Sequence, residues 1–393
     1  MIAFDYVVIG AGLGGVSVCE GIRQYDEKGS VLLVTADPEL PYHRPSLSKD
    51  FLVDPEADPE KLRIYPPEWY DEKKIDLRLS TLVTAFNLER KMVALVNGQA
   101  IEFRKACLAT GSRAFRPQVA GHNLGNVFYL RTLRDVLALK ETLTPKSQVV
   151  IFGGGLLALE VASSLAQRKI KLKLIMAEAA PWANWLDPEG SEWLTNLYTT
   201  HGVEIMTRES LNGFEGKTVL RNVQTKSGMR LAADAAIVAL GAEPNLQLIP
   251  NTPLSMHGVT TVSETLETDE KGIFAVGDIA AYPDKMFGGV RRWTHENCAR
   301  AMGLIAGGNM TGRKRTRFQY LPTFESQIFD NRIVFIGDPD RPVTRIEREG
   351  DPKSGTFSLI RRHGESVKAA ILVNPTPEEI ERWTDEVTSS NRG

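Results

Sequence analysis

Residues 6–15 read YVVIGAGLGG, a short β-branched run that passes directly into a glycine-rich turn. Gly10, Gly12 and Gly15 occupy the three glycine positions of the pattern GxGxxG, and Gly14 adds a fourth glycine. Glycines at this spacing allow a tight turn, close approach of the backbone to a pyrophosphate, and close packing of the next helix on the strand. This first glycine turn therefore predicts a phosphate site at the N-terminus of a helix.

A second strand and an acidic residue complete this unit. The apolar run at 31–34 ends shortly before Asp37, which stands 27 residues after Gly10. A carboxylate at this place can accept hydrogen bonds from ribose hydroxyls. A glycine-rich surface turn is the alternative, but it leaves the strand–helix–strand pattern unexplained. We therefore expect a dinucleotide here.

The same pattern returns at residues 149–160, which read VVIFGGGLLALE. In this second glycine turn, Gly153 and Gly155 fill the first two glycine positions. Ala158 replaces the third with a residue that still allows close helix packing. The two turns begin 143 residues apart. Two such turns predict two dinucleotides in one protein, which indicates electron transfer between them.

The acidic residue of the second unit bears on which nucleotide binds there. Glu178 follows the apolar run at 172–176 and stands 25 residues after Gly153. A carboxylate there favours NADH, because the 2′-phosphate of NADPH would meet a like charge. Arg168 and Lys169 precede the strand, so a cation that accepts NADPH stays open at this stage.

The composition indicates a soluble globular protein. The 393 residues suffice for two or three domains, and the net charge is −2 with 42% hydrophobic residues. This balance predicts no nucleic-acid partner. No apolar run reaches the roughly 18 residues that span a membrane, and the first strand begins too early for a signal peptide. We therefore expect a cytoplasmic protein.

Cysteine usage argues against thiol chemistry. Cys19, Cys107 and Cys298 lie far apart and form no CxxC pair, so a dithiol relay is not expected. The histidines and cysteines show no metal-binding spacing either. We expect three reduced, buried thiols and no metal.

The rest of the chain completes an α/β fold with two Rossmann-like dinucleotide-binding domains and a small α+β C-terminal domain. Helices are predicted at 130–143 and from about 295 to 307. Alternating runs between 332 and 373 predict the β-rich third domain. A helix at 377–387 closes it, and the polar tail after this helix is predicted to be frayed.

Several further motifs follow one another in an order that matches one family. They are RPSLSK at 44–49, ATG at 109–111, GAEPN at 241–245 and GD at 277–278. With the two glycine turns, they make the chain resemble the FAD-dependent pyridine-nucleotide oxidoreductases of the glutathione-reductase fold over nearly its whole length. Within this group it is most similar to the NADH-dependent ferredoxin reductases of oxygenase systems and to apoptosis-inducing factor.

The resemblance implies FAD on the first glycine turn and NADH on the second. It implies an FAD-binding domain at 1–114 and 245–316, an NAD-binding domain at 115–244, and a C-terminal domain at 317–393. The implied cofactor contacts are Gly10, Gly12, Gly14, Gly15, Asp37, Arg44, Lys49, Ala109, Thr110, Gly111, Arg131, Gly153, Gly155, Leu156, Leu157, Glu160, Glu178, Gly241, Gly277, Asp278, His295 and Glu325.

Three of these contacts carry an alternative explanation. Arg44 and Arg131 would touch the adenosine and phosphate side of FAD, although each could also be a solvated surface arginine. Asp278 would accept a hydrogen bond from the ribityl chain, and it could serve as a helix N-cap at the same time.

Lys49 and Glu160 are the implied catalytic pair. In the family, a lysine of the first loop and a glutamate of the second turn's helix pair beside the flavin. Glu160 stands seven residues after Gly153, about two helical turns, so it can face the glycine turn. A paired ammonium could stabilise the negative charge that hydride transfer generates. Each residue alone could also be a solvated surface charge.

The segment YLPTFES at 320–326 departs from the family pattern. It also resembles plant monodehydroascorbate reductases, but Glu325 stands where these relatives carry tyrosine and the ferredoxin reductases carry tryptophan. The carboxylate could abolish stacking on the nicotinamide, tune the flavin electrostatically, or point to solvent. These three possibilities stay open in the sequence.

The absent thiol pair requires another route for electrons to leave. Residues 281–363 contain 15 Lys or Arg against 9 Asp or Glu, a net of +6, with a dense part between 291 and 317. A basic face around the flavin edge would steer an acidic ferredoxin or a similar iron–sulfur protein. A solvated charge run without a partner is the alternative.

Two other functions stay open. The chain could be a reductase of a small acceptor such as quinone, monodehydroascorbate or oxygen. It could also be a slow NADH-sensing protein similar to apoptosis-inducing factor. The sequence allows a monomer or a homodimer.

Overall fold

The computed structural model describes residues 2–249, 254 and 258–391. The helices are α1 Leu13–Arg23, α2 Asp50–Val53, α3 Pro67–Glu72, α4 Leu133–Thr142, α5 Leu156–Gln167, α6 Pro188–Thr200, α7 Glu296–Thr311 and α8 Pro377–Asn391. The strands are β1 Ile2–Ile9, β2 Val31–Val34, β3 Ile75–Arg78, β4 Val83–Asn87, β5 Met92–Leu95, β6 Ala100–Leu108, β7 Ser112–Ala114, β8 Val127–Phe128, β9 Gln148–Phe152, β10 Lys171–Ile175, β11 Val203–Met206, β12 Leu211–Gly216, β13 Leu220–Thr225, β14 Arg230–Ala232, β15 Ala235–Val238, β16 Ala242–Pro244, β17 Thr260–Thr261, β18 Ile273–Ala275, β19 Ala280–Pro283, β20 Val290–Arg291, β21 Thr323–Ile328, β22 Asn331–Gly337, β23 Arg345–Asp351, β24 Thr356–His363 and β25 Ser366–Val373.

The first sheet contains seven strands in the order β3-β2-β1-β6-β5-β4, with β18 paired to β6. Its central strands are parallel, and Ile9 pairs with both Val34 and Leu108 at their carboxyl ends. Strand β18 adds Ala275 to the same edge by pairing with Leu108. The first glycine turn and the segment that begins at Gly277 therefore emerge side by side, where ligands bind in open parallel sheets.

The second sheet repeats this plan with five parallel strands in the order β11-β10-β9-β15-β8. Phe152 at the end of β9 pairs with Ile175 and Val238. The second glycine turn thus leaves the centre of this sheet, as the first does. An antiparallel three-stranded sheet, β12-β13-β14, packs beside it. The predicted α/β fold with two Rossmann-like units is confirmed.

The C-terminal sheet is antiparallel, with five strands in the order β21-β22-β25-β24-β23. Helix α8 covers one face and buries Trp383 and Val387 there. The prediction that the chain is frayed after residue 387 is wrong for residues 388–391, because α8 continues to Asn391. The Asn391 amide donates to the carbonyls of Val367 and Val387, both at 2.7 Å, and so fastens the last turn. Residues 392–393 of that tail lie outside the described residues.

Two helix limits differ from the prediction. Helix α4 begins at Leu133 rather than at 130, because Thr132 and Asp135 form a capping box at its N-terminus. Helix α7 runs to Thr311 rather than to 307, and Gly312 ends it with a φ of 76°. Helix α7 packs tightly on α1, where a Cβ added to Gly307 would lie 2.2 Å from the Val18 carbonyl oxygen.

Candidate active site

The first glycine turn is built on a close crossing of two backbones. Gly10 has a φ of +105°, and a Cβ there would lie 2.2 Å from the Ala109 carbonyl oxygen. The Ala109 amide donates to the Ile9 carbonyl at 2.8 Å, so residues 109–111 pass directly beneath the turn. Above it, Gly12 caps helix α1 and a Cβ there would meet nothing within 4 Å. This open, amide-lined space fits a pyrophosphate.

Asp37 lies beyond β2, beside this open space. The Tyr42 hydroxyl donates to its carboxylate at 3.2 Å, and an Arg44 nitrogen lies 3.5 Å from the same oxygen. Arg44 also lies over the Tyr42 ring, 5.0 Å from its centroid. Burial raises the pKa of Tyr42, so its hydroxyl remains a donor. Asp37, Tyr42 and Arg44 line one cleft with Gly12, as a ribose site beside the phosphates requires.

Asp278 lies just after β18, in a buried polar cluster. Its carboxylate accepts hydrogen bonds from Ser112 at 2.6 Å and from Arg131 at 2.7 Å. Arg292 donates to its backbone carbonyl at 2.9 Å. Desolvation lowers the pKa of the Arg131 guanidinium, and the charge of Asp278 opposes that effect. The structure therefore brings Asp278 and Arg131 together, with Ser112 as a partner that sequence reasoning missed.

The link between the two sheets is fixed by backbone and side-chain hydrogen bonds. The Thr110 hydroxyl donates to the Asn245 carbonyl at 2.8 Å, and the Asn245 amide donates back to the Thr110 carbonyl at 2.9 Å. The backbone amide of Asn245 donates to Gly111 at 2.9 Å. Gly241 has a φ of +117° and accepts from the Phe115 amide at 2.9 Å. The ATG and GAEPN motifs therefore lock the two crossing segments together.

The second glycine turn has the same construction. Gly153 has a φ of +136°, and a Cβ there would lie 2.4 Å from the Ala239 carbonyl oxygen. Gly155 caps α5 and faces open space, with Leu156 and Leu157 half-buried in the first helical turn. A Cβ on Gly154 would lie 2.6 Å from a Glu178 carboxylate oxygen, so that carboxylate sits against the turn.

The arginine whose backbone contacts Glu178 is not one of the two cations considered in the sequence. Arg168 lies at the far end of α5, about 18 Å from the turn by helix length, where it donates to the Leu52 carbonyl at 3.3 Å. Arg208 follows the neighbouring strand β11 and donates its backbone amide to the Glu178 carbonyl at 3.0 Å. The sequence did not indicate that Arg208 is near Glu178, because the two residues are brought together by the parallel pairing of β10 with β11.

Lys49 and Glu160 form an ion pair with a nitrogen–oxygen distance of 3.2 Å. Glu160 is buried, and its carboxylate also accepts from the Ser48 hydroxyl at 2.6 Å and the Ser326 hydroxyl at 2.8 Å. Hydrogen bonds and an ion pair of this kind offset the cost of burying a carboxylate. The structure thus brings the predicted pair together and adds two serines that sequence reasoning missed.

Glu325 presents its side chain to solvent and its backbone to the pair. The carboxylate forms a two-point salt bridge with Arg332, at 2.8 and 2.5 Å, and Arg332 lowers its pKa. Its backbone carbonyl accepts from the Lys49 ammonium at 3.3 Å. Strand alternation turns Phe324 and Ser326 inward and Glu325 outward. Of the three possibilities that the sequence left open, the geometry supports the solvent-facing one.

His295 precedes helix α7 and stacks on Phe324, with ring centroids 3.9 Å apart. Burial lowers the pKa of His295 to about 4, so the ring is neutral at neutral pH. The next residue, Glu296, forms a hydrogen bond between its carboxylate and the Nδ1 atom of His43 at 2.5 Å, and this bond raises the pKa of His43. These contacts fasten the start of α7 to the segment that carries Arg44.

The basic stretch does not form one continuous surface. Arg291 and Arg292 lie before α7, and Arg292 contacts Asp278, whereas Arg313 and Arg317 follow the C-terminus of the helix. The helix has 16 residues, which separates its ends by about 24 Å. The expected basic face around the flavin edge is therefore wrong for 313–317, because sequence proximity across a long helix is not spatial proximity.

All three cysteines are buried and free. Within the described residues, no group of three or more His, Cys, Asp or Glu side chains could hold a metal ion. None of the helices among these residues is long and apolar enough to cross a membrane.

The geometry brings together two glycine turns of the kind that hold dinucleotides, with the ion pairs Lys49–Glu160 and Arg131–Asp278 between the segments that carry them. Residues 4–303 match the pyridine nucleotide-disulphide oxidoreductase family. Monodehydroascorbate reductase 4 of Arabidopsis thaliana, a peroxisomal protein, is 31% identical over 400 residues, covering 96% of this chain and 81% of that protein. The ferredoxin–NAD(+) reductase subunit of the Pseudomonas putida benzene 1,2-dioxygenase system is 31% identical over 369 residues, covering 93% and 88%. The crystal structure of a covalent putidaredoxin reductase–putidaredoxin complex aligns with a TM-score of 0.92 at 29% identity, covering 98% of this chain and 93% of that one.

The chain belongs to the pyridine nucleotide-disulphide oxidoreductase family, and the expected resemblance is confirmed. It is an oxidoreductase of the FAD- and NAD(H)-using type, as the family and its ferredoxin reductase members are. The disulphide in the family's description has no counterpart in a CxxC pair here.

Proposed function

We propose that this protein oxidises NADH and passes the electrons through FAD to a ferredoxin-like one-electron carrier. The observation that carries the proposal is the pair of half-buried Lys49 with buried Glu160, which joins the loop after the first glycine turn to the helix of the second. Bound FAD would supply the redox chemistry, accepting a hydride from NADH and releasing its two electrons one at a time.

The two glycine turns would hold the two dinucleotides. At the first, Gly12 offers an open amide-lined space, and Asp37 and Arg44 lie at its edge. At the second, Gly155 offers the same space and Glu178 lies against the turn. We assign FAD to the first turn and the nicotinamide nucleotide to the second, following the family resemblance. At the second turn we propose NADH rather than NADPH, because the Glu178 carboxylate would repel a 2′-phosphate.

Lys49 would stabilise the negative charge that the hydride brings to the flavin. Its ammonium is held by Glu160 at 3.2 Å and by the Glu325 carbonyl at 3.3 Å, so it needs no rearrangement as the charge develops. A pre-oriented charge in a site that excludes water stabilises a transition state more strongly than a mobile one. Glu160 keeps the ammonium in place and balances its charge in the resting protein.

We propose a division into an FAD-binding domain at 1–114 and 245–316, an NAD-binding domain at 115–244 and a C-terminal domain at 317–393. The pairing of β18 with β6 supports the discontinuous first domain, because it returns the chain to the first sheet. The residues between 250 and 257, apart from 254, lie outside the described residues.

A ferredoxin-like partner is supported by the relatives and by local charge. Arg292 donates to the Asp278 carbonyl at 2.9 Å and provides positive charge beside the first turn. The guanidinium of Arg291 lies 3.8 Å from the Asp338 carboxylate. Such charges steer an acidic partner and make its reduction rate fall with ionic strength. Arg315 is exposed and follows the far end of α7, a helix about 24 Å long, so it is the matched control. Replacing Arg315 should leave the rate unchanged.

A small-acceptor reductase is the second candidate. The similarity to monodehydroascorbate reductases over 96% of the chain favours it, together with the solvent-facing Glu325–Arg332 pair near Lys49. We also propose a cytoplasmic location, which cell fractionation would test.

The two candidates are separated by NADH oxidation with the FAD-loaded protein and a panel of acceptors. The ferredoxin proposal predicts cytochrome c reduction that depends on added [2Fe–2S] ferredoxin and falls steeply with salt. Fast reduction of quinone or monodehydroascorbate without a carrier protein would contradict it and support the second candidate. Slow turnover with every acceptor would contradict both and favour an NADH-sensing role.

A further inference from the structure

The C-terminal strand β21 contacts both members of the Lys49–Glu160 pair. The Ser326 hydroxyl donates to a Glu160 carboxylate oxygen at 2.8 Å, and Lys49 approaches the same oxygen at 3.2 Å. The carbonyl of Glu325, one residue earlier, accepts from the Lys49 ammonium at 3.3 Å. Two consecutive residues of the C-terminal sheet therefore hold the anion and the cation of one pair.

The hydroxyl contacts to Glu160 are buried and directional. Ser326 is 2% exposed, and its hydroxyl reaches Glu160 across 166 residues of sequence. The other Glu160 oxygen accepts from Ser48 at 2.6 Å, so both oxygens have a hydroxyl donor. Hydrogen bonds to an ionised group are shorter and stronger than neutral ones, and in a buried site they fix its orientation.

A second contact, made by the residue that directly follows β21, docks this segment on α5 without touching the pair. The backbone amide of Phe329 donates to the Ser163 hydroxyl at 2.6 Å. Ser163 lies three residues after Glu160, on the neighbouring turn of the helix. Ser163 therefore contributes to the attachment of β21, whereas Ser326 acts on the carboxylate itself.

We propose that Ser326 is a positioning residue for flavin reduction. It orients the Glu160 carboxylate so that the Lys49 ammonium is held against the Glu325 carbonyl and directed at the reacting cofactor. The C-terminal domain thus completes the hydride-transfer site, in addition to any role in acceptor binding. The catalytic part of this inference rests on the proposed function, while the orientation of Lys49 does not.

The first test measures Lys49 in the cofactor-free protein. Acetic anhydride labelling of Lys49, quantified by mass spectrometry, is compared in wild type, Ser326→Ala, Ser326→Thr and Ser163→Ala. Loss of a charge-assisted hydrogen bond should raise the labelling rate of Lys49 about fivefold in Ser326→Ala. Ser326→Thr, which keeps the hydroxyl, and Ser163→Ala should stay within about twofold of wild type.

The second test uses the FAD-loaded protein and rapid-mixing spectrophotometry. Ser326→Ala should lower the limiting rate of flavin reduction by NADH about tenfold, while the Kd for NADH stays unchanged because Ser326 does not contact the second glycine turn. Threonine should restore the rate. Urea denaturation of each variant checks that the fold is intact.

Two results would overturn the proposal. One is that Ser326→Ala shows the wild-type rate of Lys49 labelling and the wild-type rate of flavin reduction. The other is that Ser326→Ala and Ser163→Ala change these rates equally, which would mean that Ser326 only attaches β21 to α5. If the wild-type protein does not oxidise NADH at all, the proposed function fails, but the labelling comparison still decides whether Ser326 orients the pair.

Discussion

Alanine at the two open glycines should separate the two dinucleotide sites. Gly12 and Gly155 have φ of −69° and −83° with extended ψ, a conformation that alanine adopts without strain. A Cβ at either position would meet nothing within 4 Å. Both substitutions should therefore change the free energy of unfolding of the cofactor-free protein by less than about 0.5 kcal/mol.

The added methyl groups should instead make the binding free energy of the dinucleotides less favourable. The added methyl would occupy the space into which a pyrophosphate must come, and overpacking of this kind costs about 1–3 kcal/mol. This corresponds to a Kd about 5- to 150-fold weaker. Gly12→Ala should weaken FAD binding alone, and Gly155→Ala should weaken NADH binding alone.

The assay combines FAD titration of the cofactor-free protein with the NADH concentration dependence of flavin reduction. Each variant is the control for the other, since the same methyl is added at the equivalent place of the other turn. Weaker FAD binding in Gly155→Ala with unchanged NADH binding would refute the assignment of the two turns. Unchanged binding of both cofactors in both variants would refute the sites themselves.

Three further outcomes are expected. Arg131→Leu should lower the free energy of unfolding of the cofactor-free protein by about 2–3 kcal/mol in urea denaturation, because it leaves the buried Asp278 carboxylate without its ion pair; unchanged stability would contradict the pair. Glu178→Ala should reduce the preference for NADH over NADPH, measured as the ratio of kcat/KM values, about tenfold by removing a like charge from the 2′-phosphate; an unchanged ratio would remove Glu178 from nucleotide selection. The hydrogen bond to Glu296 raises the pKa of His43, so the contact contributes its full stability below about pH 6.5 and loses it as the pH rises through the pKa of His43 in the folded protein. The difference in free energy of unfolding between wild type and His43→Gln should therefore vanish as the pH rises. A difference that does not depend on pH would contradict this contact.

Local patterns made the sheets and turns predictable from the sequence. The four residues before Gly10 and the four before Gly153 are buried ends of strands that lead into helices, so apolar periodicity and glycine spacing sufficed. Helix limits were less accurate where capping decided them. Thr132 starts α4 later than the apolar pattern suggests, and Asn391 extends α8 through hydrogen bonds to a distant strand.

Contacts between distant segments were not predictable in the same way. The hydroxyl of Ser326 reaches Glu160 only because β21 packs on α5, and no spacing rule encodes that approach. The pair of Lys49 with Glu160 came from the family resemblance, since each residue alone reads as a surface charge. The outward direction of Glu325 follows from strand register, which a single sequence does not specify.

The most direct test of the account is flavin reduction by NADH in Lys49→Met and Glu160→Gln. Both proteins should bind FAD as wild type does, because the contacts of the first glycine turn remain. Loss of the pre-oriented charge should lower the limiting reduction rate about 100-fold in each. Reduction at the wild-type rate in both variants would contradict the claim that this ion pair supports electron transfer between the two dinucleotides.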